Sequence, residues 1–166
     1  MPPRDPMSVN VIFGSDAGAT KAVASRIAKH TQGRAIDIKA ASVADFENCS
    51  LLVLGTPTYG AGDLQADWEA HLDKLTQARL SGKKVALFGT GDQVSYPDCF
   101  VDAMGVLYDI VVEQGASVVG FTETAGYEHT GSRAERDGKF VGLALDQDSQ
   151  SSKTEKRITE WVSRLI

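Results

Sequence analysis

The chain has 166 residues, 42% apolar and 23% charged, a balance that suits one globular domain with its own core and excludes a disordered or membrane-like composition. Against 22 Asp and Glu stand 17 Lys and Arg, so the formal charge is −5, which disfavours nonspecific nucleic-acid binding. The two cysteines, Cys49 and Cys99, lie far apart without metal-ligand spacing and read as free thiols.

The first residues, "MPPRDPMSVN", carry an arginine but no apolar stretch of the secretory kind, so residues 1–8 are expected to form a flexible extension and the protein to be cytoplasmic. Met7 is a candidate start. Strand-like apolar runs follow at 9–13 ("VNVIF"), 34–39, 51–55 ("LLVLG"), 84–89 ("KVALFG") and 116–121. Helical patterns fall between most of them, over Thr20–His30, Leu64–Thr76, Cys99–Gln114 and Lys153–Ile166; the connection over 40–50 is only weakly helical. Strands alternating with helices predict an α/β fold, a parallel sheet covered on both faces with its ligand crevice at the strands' C-terminal edge. The stretch 122–139, "TETAGYEHTGSRAERDGK", is polar and interrupts two apolar runs, so a long surface loop is expected inside or just after the last strand. No run approaches the roughly 18 apolar residues of a membrane span.

Three strand ends open into loops that could hold a ligand. In "GSDAGAT" (14–20) the missing lysine excludes the nucleoside-triphosphate loop, and the glycine spacing does not match the dinucleotide fingerprint. Backbone N–H groups, the Ser15 and Thr20 hydroxyls and the dipole of the next helix remain, which suits one terminal phosphate monoester. An ordinary strand-to-helix turn fits the same residues, so this loop alone leaves both readings open. In "GTPTYGAGDLQADW" the stiff Pro57 precedes Thr58 and Tyr59; in "GTGDQVSYPD" Tyr96 stands before Pro97. Two tyrosines on neighbouring strand-end loops suit a flat aromatic ligand held from two sides.

Together "FGSDAGAT", "GTPTYGAGDLQADWE", "FGTGDQVSYPDCFVDAMG" and "GKFVGLALDQDSQ…RITEWV" resemble the long-chain flavodoxins, from about Val9 to the C-terminus. The resemblance implies a three-layer sandwich with a five-stranded parallel sheet in the order 2-1-3-4-5, a single domain over 9–166 and FMN as the cofactor; flavodoxin is itself a standard example of that order. It implies that Ser15, Asp16, Ala17, Gly18, Ala19 and Thr20 bind the phosphate through amides and hydroxyls. The isoalloxazine would lie between Tyr59 and Tyr96, with Pro57, Thr58, Gly60, Ala61, Thr90, Gly91, Asp92 and Cys99 around it and Asp148 toward the ribityl hydroxyls.

Two positions depart from the family pattern. Ala17 stands where many members have a hydroxyl residue, and Tyr59 replaces a frequent tryptophan; both reduce contacts to FMN. Asp63, Asp67, Asp92 and Asp98 lie on or beside the loops and disfavour added negative charge, which makes the flavin strongly reducing. His30, His71 and His129 are read as surface histidines, Arg133, Glu135 and Arg136 as a solvated mixed-charge loop, Cys99 as a small packing residue, and Trp68 and Trp161 as helix anchors.

The function implied is a monomeric one-electron shuttle without substrate turnover of its own. A flavodoxin reductase or iron–sulfur oxidoreductase would reduce it, and a low-potential redox enzyme would oxidise it. The competing reading is a flavodoxin-like NAD(P)H-dependent quinone or FMN reductase, which needs room for a nicotinamide that two flanking tyrosines would occupy.

Overall fold

Strands whose residues are apolar on both faces can survive only between two layers of helices, and β1 (Val9–Phe13), buried along its whole length, sits in that position. In the computed structural model, which describes residues 8–14, 18–59, 63–146 and 150–165, and for Tyr59, Asp63 and Leu64 the backbone alone, β1 pairs in parallel with β2 (Arg34–Asp37) on one side and β3 (Leu51–Tyr59) on the other. The N-terminal extension expected over 1–8 lies, but for Ser8, outside the described residues. A two-residue β4 (Asp63–Leu64) folds back antiparallel on the end of β3. β5 (Lys84–Thr90) adds in parallel beyond β3, with Leu51 opposite Lys84 and Pro57 opposite Thr90.

The fifth strand position is filled twice. β6 (Ser117–Val119) lies parallel to the first half of β5, and β10 (Leu143–Leu145) lies parallel to its second half, opposite Phe88 to Thr90. The order is therefore β2-β1-β3-β5 followed by the pair β6 and β10, which is the expected five-position parallel sheet with its last strand split. The chain leaves β6 at Gly120, φ +85°, whose carbonyl accepts the Trp161 indole N–H at 2.8 Å. A side chain there would start 2.7 Å from that indole nitrogen, so only glycine permits the exit.

Between β6 and β10 the insertion is more ordered than a surface loop. Its short strands β7 (Thr122–Glu123), β8 (Glu135–Arg136) and β9 (Lys139–Phe140) form a separate antiparallel sheet in the order β7-β9-β8. The turn joining β8 to β9 is Asp137–Gly138, both with positive φ (54° and 79°), the backbone that a tight hairpin of right-handed twist requires.

Alternation along the strands divides the core in two. Val9, Val11, Phe13, Leu51 and Val53 face α1 (Ala19–Thr31) and α6 (Thr154–Leu165), where Ile27, Ile158 and Trp161 are fully buried. Ile12, Leu52 and Leu54 face the other layer, made by α2 (Val43–Glu47), α3 (Ala66–Ala70), α4 (Leu72–Gln77) and α5 (Asp102–Glu113). The weakly helical connection does form α2, because Ser42 and Asp45 cap it reciprocally at 3.3 and 2.8 Å. The single helix expected over 64–76 breaks at His71 (φ −117°), which lets both Trp68 in α3 and Leu75 in α4 reach full burial.

Candidate functional site

The C-terminal ends of β1, β3 and β5 converge on one edge of the sheet. The Gly14 N–H donates to the Gly55 carbonyl at 3.2 Å, which keeps the first loop in register with β3 as both leave the sheet. Ser15, Asp16 and Ala17 lie outside the described residues. The chain resumes at Gly18, in the left-handed region (φ 88°), and Ala19 opens α1. The N-cap Gly18 offers no side-chain cap of its own, and the first turn carries no acidic residue. Among the described residues no side chain caps the start of this 13-residue helix, which is also the positive end of its dipole.

Thr20, the second residue of α1, is buried, its Oγ1 3.0 Å from Oγ1 of Thr90, the last residue of β5. Either hydroxyl can donate to the other, so one proton of the pair stays available for a further acceptor. This contact spans 70 positions of sequence and ties the first and third loops together.

β3 runs further than expected, so Pro57 and Thr58 lie within the strand and Tyr59 ends it, opposite Asp63. The Thr58 Oγ1 accepts the Ala103 N–H at 2.9 Å and thereby caps α5, whose own preceding residue, Val101, is left-handed (φ 49°) and offers no side-chain cap. Gly60 and Ala61, with the Tyr59 side chain, lie outside the description, as does Asp148.

Beyond β5, the Gly91 N–H donates to Leu145 O at 3.0 Å, and Asp92 folds the loop by accepting the N–H groups of Val94 and Ser95 at 3.1 and 3.0 Å on one carboxylate oxygen. Tyr96 and Val94, at the apex, are 49% and 64% exposed, the largest exposure of any bulky apolar residue described. Cys99 is buried at the base of the same loop, and burial, followed by the Asp102 and Asp98 carboxylates, pushes its thiol above the ordinary range, consistent with a packing residue.

The structure thus brings Gly18, Ala19, Thr20, Pro57, Thr58, Thr90, Gly91, Asp92 and Tyr96 to one sheet edge. Sequence reasoning overlooked two buried polar residues that hold this edge. The Gln93 N–H donates to a carboxylate oxygen of Asp146 at 3.1 Å, just past β10, and its side-chain Oε1 accepts the Glu128 N–H. Gln65 accepts the Trp68 N–H at 3.2 Å, at the start of α3, while the Trp68 indole donates to Gly55 O at 2.8 Å. A lone glutamine in a polar loop leaves no pattern from which to find it.

The remaining readings need two corrections. His129 is not a surface histidine: its side chain is 7% exposed, packed against Phe100, Tyr127 and Phe140, with Nε2 2.8 Å from Glu135. Arg133, Glu135 and Arg136 are not merely solvated either. Arg136 binds Asp109 through two nitrogens and lies over Tyr108, and the Arg133 N–H donates to the buried Asp102 at 2.7 Å. Burial raises the Asp102 carboxyl above its ordinary range, against the opposing pull of Arg133. Trp68 and Trp161 anchor their helices as expected, and no cluster of metal-ligating side chains occurs among the described residues.

The family model for flavodoxin matches residues 11–161. The chain belongs to the flavodoxin family. A flavodoxin of Synechocystis sp. is 45% identical over 161 residues, 95% of each chain, and one of Trichodesmium erythraeum is 41% identical over 162 residues, again 95% of each. Among solved structures, a Fusobacterium nucleatum flavodoxin bound to flavin mononucleotide superposes with a TM-score of 0.90 at 33% identity, covering 96% of both chains. The flavodoxin topology and the flavodoxin resemblance read from the loops are both borne out.

Proposed function

We propose that this chain is a low-potential one-electron carrier that holds FMN without a covalent bond. The observation that carries the reading is the Thr20–Thr90 hydroxyl pair at the start of α1, uncharged donors beside a helix N-terminus whose N-cap is a left-handed glycine. Such donors fit a terminal phosphate monoester, and FMN is bound by the related flavodoxin of Fusobacterium nucleatum. When bound, FMN supplies the one-electron chemistry.

The residues of this chain would divide the work by position. Ser15, Asp16, Ala17, Gly18, Ala19 and Thr20 would hold the phosphate. Tyr59 and Tyr96 would hold the ring, and the half-exposed Tyr96 supports this, because a phenol that joins no core has a face to offer. Pro57, Thr58, Gly60, Ala61, Thr90, Gly91, Asp92 and Cys99 would shape the ring's surroundings, with Asp148 toward the ribityl chain. Asp92 and the exposed Asp98 share the Tyr96 loop, and no Lys, Arg or His lies between positions 85 and 128, so the local field opposes added negative charge and keeps the carrier strongly reducing.

Residues 9–166 would act as one unit, monomeric and cytoplasmic, with residues 1–8 an extension. Its donor would be a flavodoxin reductase or an iron–sulfur oxidoreductase, and its acceptor a low-potential redox enzyme. No described helix is long and apolar enough to cross a membrane. The test is a coupled assay with FMN-loaded protein, NADPH and cytochrome c as the electron sink. Electron flow is expected only after a flavin-dependent NADPH reductase is added. Rapid NADPH oxidation by the protein alone, with a quinone, would overturn the carrier reading in favour of a reductase.

A further inference from the structure

The loop that carries Tyr96 is bound along one side by the insertion. The Thr130 and Gly131 N–H groups both donate to the Pro97 carbonyl, at 2.7 and 3.0 Å, the Ser132 hydroxyl donates to Phe100 O, and the Arg133 N–H donates to Asp102 at 2.7 Å. At the near end the Glu128 N–H donates to the Gln93 side chain. Residues 128–133 thus run alongside 93–102 as a strap, held by hydrogen bonds to the loop from Glu128, Thr130, Gly131, Ser132 and Arg133. Packing seals it: the Phe100 ring lies 5.6 Å from His129 and 5.9 Å from Phe140, and a side chain on Gly131 would start 3.2 Å from Asp98 O.

The loop's other side is tied to the end of the fifth strand, by Gly91 to Leu145 and by the Gln93 N–H to Asp146. Gln93 bonds both sides, its backbone to Asp146 and its side chain to the strap. It is 2% exposed, and its Nε2 is buried with no hydrogen-bond partner among the described residues. Burying an amide nitrogen unpaired is unfavourable, and an apolar side chain would fill the space without that penalty. What the amide adds is the acceptor that pins the strap at Glu128, three residues before Tyr96 in the loop.

We propose that Gln93 is a positioning residue that, with the 128–133 strap, sets the stance of Tyr96 toward the flavin. The inference rests on the reading that Tyr96 holds the flavin ring. The strap leaves the Tyr96 ring and Val94 exposed while fixing the backbone on both sides of them, which is the arrangement a stacking face needs if it is to lose little freedom when the ring docks. The insertion on this account serves the cofactor loop directly.

A double-mutant cycle in FMN titrations of the apoprotein tests it, with Gln93→Met, Ser132→Ala and Tyr96→Ala, singly and in combination. Gln93→Met is expected to weaken FMN roughly three- to tenfold in the parent chain and less than about twofold in the Tyr96→Ala background, because its effect runs through that ring. Ser132→Ala, which leaves the buried amide in place, is expected to show the same dependence on Tyr96 if Gln93→Met does not fold. An equal loss in both backgrounds, or a lowered unfolding midpoint with unchanged FMN affinity, would reduce Gln93 to a structural role and overturn the inference. If Tyr96→Ala alone leaves FMN affinity unchanged, the ring assignment itself fails, and the inference with it.

Discussion

Tyr127 donates its phenol to the Ala144 carbonyl beneath the Arg157 guanidinium, which lies 4.1 Å from the ring centre. Burial pushes this phenol up to about 12, with Arg157 pulling it down and Asp146 adding to the rise. A phenol that ionises near 10 when unfolded and near 12 when folded keeps its proton longer in the native chain. Its stabilising contribution is therefore complete below pH 10 and is lost as pH climbs toward 12. Urea unfolding across that range is expected to show a falling stability in the parent chain and a shallower fall in Tyr127→Phe. An unchanged slope in the variant would contradict the assignment. This burial was not legible in the sequence, where Tyr127 and His129 stand among Gly, Glu and Thr in a polar stretch. Their burial comes from Phe100 and Phe140, which arrive from other segments, and no local pattern records such a meeting. Thr58 has a second task for the same reason, since the amide it caps lies 45 residues away.

At the scale of elements, the strands and most helices follow from periodicity, and their ends shift by a few residues where caps decide. α5 begins at Asp102, three residues after the pattern that starts at Cys99, because Tyr96 to Val101 are spent in the turn that carries the loop back to the sheet. The Asp-Gly pair between "ER" and "KF" is a two-residue turn signal, but the reading of 122–139 as a surface loop made no use of it. Strands of two residues each, however, are too short to show alternation, and the stretch reads as loop. Gly138 offers a direct check. It holds φ +79° with nothing within 4 Å of an added Cβ, so Gly138→Ala meets no clash and costs only the conformational penalty, about 1–2 kcal/mol. Denaturant unfolding that finds no loss would show that the turn relaxes to another conformation.

For the molecule as a whole, the parallel α/β sheet was legible from nearly unbroken apolar runs such as "LLVLG" and "KVALFG" alternating with helical periods, whereas the strand order came from the flavodoxin resemblance. The split of the last strand was legible as an interruption of two apolar runs, though not as two pieces sharing one neighbour, which depends on the exit beside Trp161. The placement of the loops follows from that sheet, and on it rests the central proposal: a phosphate met by amides and hydroxyls at the start of α1, with no Lys, Arg or His in the sequence of the loop, and a ring held by tyrosines from the β3 and β5 loops. Calorimetric titration of the apoprotein with FMN and with riboflavin, at one salt concentration, tests it most directly. The expected result is that FMN binds at least about 100-fold more tightly, since several charge-assisted hydrogen bonds are lost with the phosphate. Equal affinity for the two, or no uptake of FMN, would contradict the account.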